Sequence, residues 1–539
     1  MGSRVVPAVL ATALVTVLVT VPVAASAADV PVPRLSPMSG VVEASLVSAA
    51  PISMGPRLSL AAAIERELTV DVSLSVATLY AERDFEPVWT ESRAAALRAR
   101  LAEAAGDGLD PADYFVPAAG DDVFSRALED VSLTEAALRY ARHAHSGRIA
   151  PRSISRIVDQ DPPRLDEGRF LNRLAIAGDV AGTLESVHPV HPQYHALRRA
   201  LREALARQGV KPVVVGAGPF LKVGSEGPRV AALRSRIDAT VMRGRNPEIF
   251  DEALAEAVRA FQRANGLVAD GIVGPRTLAV LDAAAEANDV EAIASNLERW
   301  RWMPRHLGRN HVFVNIPAYR VEVRSSGETT FSGRVVVGRP ANPTPVFSDE
   351  IEHVVVNPYW NVPYSIASTQ MLGALRSNPA GYAARRNLEV VSGGRVVAAS
   401  SVAWSAETLR RVRVRQRPGR GNALGAVKFL FPNEWAVYLH DTPERHLFRR
   451  DRRAYSHGCV RVESPFDFAE ALLAHDGRIS GRGARRMVGG GEKWMNTSRH
   501  IPVHLAYFTR EVDAEGRLVR LEDIYGFDRR TRRALGLSS

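Results

Sequence analysis

The chain has 539 residues, of which 46% are hydrophobic and 24% charged. These values exclude a disordered or fibrous protein, and the length predicts about three or four domains instead of a single core. The formal net charge of +10 suits any anionic partner, including nucleic acid, anionic lipid and acidic wall polymer, without selecting one.

The N-terminal residues have the layout of an export signal. Arg4 precedes an uncharged stretch, 5–25, which ends at the small residues Ala25-Ser26-Ala27. A basic start, an apolar middle and small residues at a cleavage site are typical of a secretory signal peptide, so we expect residues 1–27 to be removed. An uncleaved membrane anchor is the alternative, because the stretch is about long enough to span a bilayer. Either way, we expect the body of the protein outside the cytoplasm.

The next two segments predict a linker and a helical scaffold. Residues 28–60 are rich in Pro, Ser, Ala and Val and show no clear period, which favours a linker. From 61 to 210, apolar residues recur at helical spacing, as in 92–105 and 133–145. No pattern there suggests chemistry, so we interpret 61–210 as a helical scaffold domain.

Residues 219–285 predict a compact three-helix unit. Glycine-containing turns at 265–267 and 270–275 end the second helix, and Pro275 can begin the third. This segment resembles the type 1 peptidoglycan-binding domain, and the resemblance implies binding to the cell wall. Residues 286–309 are expected to form a connecting helix. The apolar residues at helical spacing are Val230, Leu233 and Ile237 on one face, and Leu254, Val258 and Phe261 on another.

From 310 the hydrophobic period changes to two, which predicts a β-rich domain over 310–505 that begins with antiparallel hairpins. Residues 364–420 interrupt the sheet with helix-like, Arg-rich sequence and predict an inserted cap or lid. Residues 506–539 predict a final strand and a basic helical tail. The expected fold class is therefore multidomain α+β. The expected strands are 311–316, 319–323, 330–337, 352–356, 426–431 and 435–440.

Four arginines alternate near the end of the predicted cap: Arg411, Arg413, Arg415 and Arg417. Alternation places them on one face of a predicted strand. A solvated edge strand is the plain interpretation, because charged side chains there also block edge pairing. Contact with carboxylates of the wall or of a substrate is the alternative.

The single cysteine, Cys459, excludes an internal disulfide. Such a thiol can be buried and inert, but His457 lies two residues before it and His440 ends a predicted strand. A histidine can take the thiol proton and return it to a leaving group. Gly458 lets a substrate carbonyl approach backbone N–H groups that could form an oxyanion hole. Five nearby arginines could favour the thiolate or bind substrate carboxylates: Arg445, Arg449, Arg450, Arg452 and Arg453.

The pattern of His440, a gap and then 456–459 (Ser-His-Gly-Cys) resembles the signature of the L,D-transpeptidase (YkuD-type) catalytic domain. The flanking segments 357–363 and 421–425 agree with it. The domain order is similar to the large, YcbB-like Gram-negative type over roughly residues 65–505, which implies a periplasmic location. The resemblance implies that Cys459 is the nucleophile and that His440 is the general base and acid.

The same resemblance implies further roles. The backbone carbonyl of Asp441 would orient His440, and backbone amides of His457, Gly458 and Cys459 would form the oxyanion hole. Cys459 would attack the third residue of a tetrapeptide stem, release D-Ala and pass the acyl group to another stem as a 3-3 cross-link. The resemblance implies no cofactor and no metal. It does imply wall synthases or carboxypeptidases as partners, and inhibition by carbapenems. The residues expected to bind substrate are Arg461, Tyr438, Tyr359, Trp360 and Ser456.

Three other classes of protein remain as alternatives. A zinc peptidase would use the metal-capable side chains of His440, His446, His457 and Cys459, but their spacing lacks a helical HExxH pattern. A wall-binding protein without activity would need only 219–285, and the intact His440 and Cys459 argue against it. A nucleic-acid binder is disfavoured by the export signal and by the absence of a recognised motif.

Overall fold

The computed structural model describes residues 59–68, 72–207, 213–237, 246–286 and 289–537. The expected signal peptide, 1–27, and all but the end of the expected linker, 28–60, lie outside these residues. Within the described part of the chain, no helix combines the length and the apolar character needed to cross a bilayer.

The first described region is a helical scaffold, as the sequence predicts. Asp122 illustrates how its helices begin, because its carboxylate accepts from the N–H groups of Phe124 and Ser125, each at 3.0 Å. The carboxylate of buried Asp107 forms salt bridges with Arg100 and Arg198, and these link three separate segments of the chain. The helices are α1 (Leu60–Glu67), α2 (Leu74–Ala81), α3 (Glu91–Ala102), α4 (Val123–Ser146), α5 (Glu167–Ile176), α6 (Val180–Glu185) and α7 (Pro192–Ala206).

The second region is a three-helix unit, which confirms the prediction for 219–285. Its helices are α8 (Pro228–Ile237), α9 (Glu252–Ala264) and α10 (Pro275–Glu286). Asp251 caps α9 through an N–H bond from Leu254 at 2.9 Å. The turn after α9 is held by Gln262, whose amide donates to Asp270 at 2.8 Å and accepts from the Gly271 N–H at 2.9 Å. The apolar faces expected from the sequence form its core.

The connecting helix, α11 (Asp289–Arg301), is buried between the scaffold and the β-domain. Leu297 and Trp300 pack in one cluster with Tyr194 of α7 and Phe508. The buried Glu298 carboxylate accepts from the N–H groups of Arg148 (2.5 Å) and Ile149 (3.0 Å) and from Arg301 (3.0 Å). This helix is therefore a structural part of both regions and not merely a spacer.

The β-domain is built on one nine-stranded sheet with the order β11-β3-β12-β10-β9-β4-β13-β1-β2. A further β3–β2 pairing closes eight of the strands into a ring. Alternate residues of the ring face a core that also receives Phe468 from α16 (Pro465–Leu472). The strands are β1 (Asn310–Asn315), β2 (Arg320–Ser325), β3 (Glu328–Gly338), β4 (Phe347–Val356), β9 (Val427–Leu430), β10 (Leu439–His440), β11 (Ala454–Ser456), β12 (Val460–Val462) and β13 (Lys493–Ala506).

One expectation for this domain is wrong. The predicted strand 435–440 is reduced to Leu439–His440, because Asn433 folds the preceding residues into a turn by accepting from the N–H groups of Trp435 and Val437, both at 3.1 Å. The predicted tail, 506–539, contains a hairpin of β14 (Arg510–Val512) and β15 (Leu518–Arg520) and then α18 (Phe527–Ala534). Phe527 is buried in the main core, so this segment completes the β-domain.

The predicted cap is a separate small layer with its own apolar cluster, which includes Leu375, Val390 and Trp404. Its sheet has the order β5-β8-β6-β7, so the arginine-bearing strand β8 lies inside the sheet, and the expectation of an edge strand is wrong. The elements are β5 (Trp360–Asn361), α12 (Tyr364–Ile366), α13 (Leu372–Ser377), α14 (Pro379–Arg385), β6 (Leu388–Ser392), β7 (Arg395–Val397), α15 (Thr408–Arg411) and β8 (Arg413–Gln416); α17 (Gly481–Arg486) lies outside the cap.

Candidate active site

Strand register brings four of the expected site residues onto one face of the large sheet. The parallel pair β10–β12 places Leu439 opposite Val460 and His440 opposite Arg461. Because side chains alternate, Leu439 and Val460 enter the core. Tyr438 and His440, and beside them Cys459 and Arg461, therefore share the opposite face.

His440 is held as a neutral base. It is buried, and its Nδ1 donates a hydrogen bond to the backbone carbonyl of Asp441 at 2.5 Å. Burial lowers the pKa of His440 to about 3, and the positive charge of Arg461 acts in the same direction. With the proton fixed on Nδ1, the lone pair of Nε2 is available to accept a proton.

The Asp441 side chain stabilises the backbone around His440 by accepting hydrogen bonds. Its carboxylate accepts from the N–H groups of Ala426 (2.8 Å) and Thr442 (2.7 Å) and from Arg445 (2.8 Å). Gly425 lies against it, and a Cβ at position 425 would approach the Asp441 carboxylate to 2.4 Å. This contact explains physically why a glycine ends the segment 421–425.

Cys459 is half-buried, one residue before β12. Burial raises the pKa of the thiol, while hydrogen bonding from Tyr438 and the charge of Arg461 lower it less. The resting pair at neutral pH is therefore a thiol and a neutral imidazole. Of the five arginines expected to favour the thiolate, Arg445 is engaged by Asp441 and Arg453 lies over the Tyr319 ring, 5.1 Å from its centroid.

The loop before Cys459 is fixed from within. The Ser456 hydroxyl donates to the Cys459 carbonyl at 2.6 Å and accepts from the Gly458 N–H at 3.1 Å. Thr344 donates to the Gly458 carbonyl at 2.7 Å. Gly458 has a φ of 123°, which strongly favours glycine. These bonds fix the backbone of the loop from Ser456 to Cys459.

Two expected roles change as a result. Ser456 is 2% exposed and uses its hydroxyl within the loop, which makes it a positioning residue of the loop. The Gly458 N–H is donated to Ser456 and is not directed at a ligand. Among the described residues the backbone N–H of Cys459 has no acceptor, so it is free to donate to a bound ligand.

His457 faces the cap and not the thiol. The side-chain amide nitrogen of Gln370 lies 2.8 Å from His457 Nε2, and Nη2 of Arg339 lies 3.3 Å from it. Both groups donate, so Nε2 accepts and the ring proton is on Nδ1. Burial and the charge of Arg339 lower the pKa of His457. The geometry therefore favours His457 as a loop and cap contact.

The remaining expected substrate residues lie around this face. Arg461 pairs with Glu444. The Tyr438 ring packs edge-on to His440, with centroids 5.6 Å apart. Tyr359 lies under Arg415, whose guanidinium carbon is 4.2 Å from the ring centroid. Trp360 packs against the cap cluster, which is a structural position.

The four alternating arginines also receive partners. Arg415 and Arg417 both bind Glu389 of β6, at 2.7 and 2.6 Å, and Arg411 binds Glu407. Arg413 is exposed and lines an open depression of the cap together with Tyr364 and Arg410. The row therefore mainly stabilises the cap.

Sequence reasoning missed Thr344, Gln370 and Lys428. Thr344 and Gln370 act through contacts between distant segments, for which no local pattern exists. Lys428 lies between core residues of the predicted strand 426–431, so the alternation alone places its side chain on the face of the sheet away from the core. Its position beside His440 depends on strand register, which no local pattern gives. Within the described residues, no three His, Cys, Asp or Glu side chains converge in an arrangement that could hold a metal ion.

Comparison with protein families identifies three regions. Residues 309–480 match the "L,D-transpeptidase catalytic domain", 75–201 a "Scaffold domain" and 227–281 a "Putative peptidoglycan binding domain". A curated protein of Haemophilus influenzae named "Putative L,D-transpeptidase" is 38% identical over 250 residues, which is 45% of this chain and 49% of that protein. The chain thus spans about half the length of this relative.

Two solved structures are similar at lower identity. An L,D-transpeptidase from Mycobacterium smegmatis is 13% identical and matches 36% of this chain and 58% of its own, with a TM-score of 0.18. An L,D-transpeptidase from Xylanimonas cellulosilytica is 16% identical and matches 54% of this chain and 98% of its own, with a TM-score of 0.16.

Proposed function

Because this chain carries the L,D-transpeptidase catalytic domain together with a scaffold domain and a peptidoglycan-binding domain, we propose that it forms 3-3 cross-links in periplasmic peptidoglycan through a thioester on Cys459. One observation supports the chemistry most. His440 and Cys459 lie on the same sheet face, and the Asp441 carbonyl fixes the His440 tautomer that can accept a proton.

The first half-reaction consumes a tetrapeptide stem. Nε2 of His440 takes the thiol proton as the sulfur of Cys459 attacks the carbonyl carbon of the third residue, a diaminopimelate-type residue. The Cys459 N–H donates to the developing oxyanion. When the C–N bond breaks, His440 returns the proton to the departing amine of D-Ala, and a thioester remains.

The second half-reaction resolves the thioester. The side-chain amine of another stem attacks the thioester carbonyl and passes a proton to His440. The C–S bond then breaks, the proton returns to sulfur and a 3-3 cross-link is released. Water as the acceptor would give a tripeptide, and a free D-amino acid would give exchange, because all three outcomes share one acyl-enzyme.

Binding to the wall and inhibition belong to the same proposal. The unit containing α8, α9 and α10 would hold the enzyme on peptidoglycan, and carbapenems would acylate Cys459 as the stem does. Wall synthases or carboxypeptidases would act as partners by supplying stems or acceptor strands.

Mass spectrometry tests the proposal directly. Purified residues 28–539 are incubated with a disaccharide-tetrapeptide beside a Cys459→Ala variant. We expect a dimer with loss of D-Ala from the wild type alone. Tripeptide without dimer would indicate a carboxypeptidase. No product from either sample, with retained sedimentation on wall sacculi, would overturn the proposed activity in favour of a binding protein.

A further inference from the structure

Lys428 lies on the same face as His440 and Cys459. In the antiparallel β9–β10 pair, Lys428 is directly opposite His440. On the other side of β9, Val355 of β4 is opposite Lys428, and Trp494 of β13 is opposite Val355. A single row across the sheet therefore runs from the catalytic histidine through Lys428 to Trp494.

Lys428 is 8% exposed, and its ammonium lies 5.2 Å from the centroid of the Trp494 ring. Among the described residues, no carboxylate lies within 4.0 Å of that ammonium. The acid that acts on it is Glu492, whose charge raises the pKa of Lys428 while burial lowers it more strongly. Glu492 is itself engaged, since its carboxylate accepts from the Tyr359 N–H at 2.8 Å.

Other deeply buried cations in the described part of the chain have carboxylate partners. Arg299 binds Asp528 at 2.6 Å, and Arg301 binds Glu298 at 3.0 Å. Burial of a cation without a carboxylate is costly, and proteins avoid it unless the charge has a use. The chain also has only four lysines, Lys211, Lys222, Lys428 and Lys493, among its 69 basic residues. An unpaired buried ammonium on the catalytic face is therefore most simply explained by a partner that arrives with the substrate.

We propose that Lys428, beside the Trp494 ring, binds a carboxylate of the donor stem peptide while the scissile carbonyl lies at Cys459. This inference rests on the proposed function, which supplies a stem with two free carboxylates near that carbonyl. One belongs to the departing D-Ala and the other to the side chain of the diaminopimelate-type residue. β9 lies two strands from β12, which is about 10 Å, the length of about three extended residues. The long side chains of Lys428 and of the diaminopimelate-type residue would together span this separation.

The experiment combines a neutral variant with amidated substrates. The rate of Cys459 acylation is measured by mass spectrometry on the full chain, with stems that are unmodified, amidated at the D-Ala carboxylate, or amidated at the side-chain carboxylate. The variants are Lys428→Met, Lys428→Arg and, as a matched control, Lys493→Met, which changes an exposed lysine of β13.

We expect the wild type to lose about tenfold or more in kcat/KM with one of the two amidated stems, and that stem identifies the bound carboxylate. Lys428→Met should lose the same factor with the unmodified stem and should no longer distinguish it from that amide. Lys428→Arg should keep the distinction, and Lys493→Met should match the wild type.

Three results would overturn the inference. The wild type could be indifferent to both amidations. Lys428→Met could slow acylation equally with all three stems, which would mean a structural role. It could also retain the full distinction. If Lys428→Met does not fold, the inference is still tested by comparing the wild type and Lys428→Arg on the unmodified and amidated stems. A wild type that forms no acyl-enzyme with any stem, although iodoacetamide still alkylates Cys459, would overturn the proposed function as well.

Discussion

At the scale of single residues, the location of two protons determines how the site works. Burial lowers the pKa of His440 to about 3 and raises that of the Cys459 thiol, so both groups are neutral at pH 7. A pre-formed thiolate and imidazolium pair is therefore disfavoured in the free protein. In the proposed reaction, proton transfer would therefore accompany attack on the substrate and would depend on the fixed tautomer of His440.

This arrangement predicts an unusual titration of the thiol. Alkylation of Cys459 by iodoacetamide, which needs the thiolate, should follow a pKa above the ordinary value of about 8.5. Arg461→Met should raise that pKa further, because the charge of Arg461 lowers it in the wild type. Arg449→Met, an exposed arginine of the same region, serves as the control and should not change it. A titration at or below about pH 7 would contradict the neutral pair.

At the scale of elements, the cap and the loop before Cys459 meet through Gln370 and His457, with 2.8 Å between their nitrogens. Gln370 lies in a π-helical turn, 367–371, inside the first helical stretch of the cap. Such turns often accompany functional sites because they displace one residue from the regular helix surface. The contact therefore couples the position of the cap to the loop that precedes Cys459.

Removal of this contact should loosen the cap. Gln370→Leu is expected to raise KM for a stem peptide by about three- to tenfold, the equivalent of one hydrogen bond, with a smaller effect on stability. Ser368→Ala is the control, because the Ser368 hydroxyl bonds within its own turn to Ser365. Steady-state kinetics and hydrogen exchange of the cap would check the effect. Equal behaviour of the two variants would exclude a coupling role for Gln370.

The same scale shows what the sequence could predict. Period-two patterns located β1, β2, β3, β4 and β9, and helical spacing located the core of α8 and α9, because both are local consequences of burial. Cys459 and His440 stand in a recognisable motif. The cap sheet could not be assigned an order, since β8 pairs with β6 and with β5 across the long intervening segments 393–412 and 362–412. The row from Arg461 to Trp494 likewise exists only through pairing of distant strands.

At the scale of the whole molecule, α11 joins the scaffold to the catalytic domain through buried charge. Glu298 receives two backbone N–H groups of the scaffold and the guanidinium of Arg301, whose other nitrogen donates to the Asp107 carbonyl at 2.5 Å. Arg299, on the other side of the helix, binds Asp528 of α18. The two regions therefore share one set of buried polar bonds and should unfold together.

Glu298→Gln tests this coupling. Removing the carboxylate leaves Arg301 buried without its counter-charge, so we expect a loss of about 3–5 kcal/mol in the free energy of unfolding. Scaffold and catalytic domain should still melt in a single transition at a lower temperature, as followed by calorimetry. Glu256→Gln, on the exposed face of α9, is the matched control and should melt like the wild type. Separate transitions for the two regions in the wild type would contradict the shared core.

The contacts that support the loop before Cys459 have a consequence for the order in which the protein folds. Thr344 holds Gly458, and Tyr525 holds Thr344 in turn, accepting from its N–H at 3.2 Å while donating to the Gly338 carbonyl at 2.6 Å. A polypeptide that emerges from its N-terminus has released Cys459 some time before Tyr525. The loop that carries Cys459 can therefore be set only after the segment that contains Tyr525 has been made and has docked, so a chain truncated before Tyr525 would lack this support.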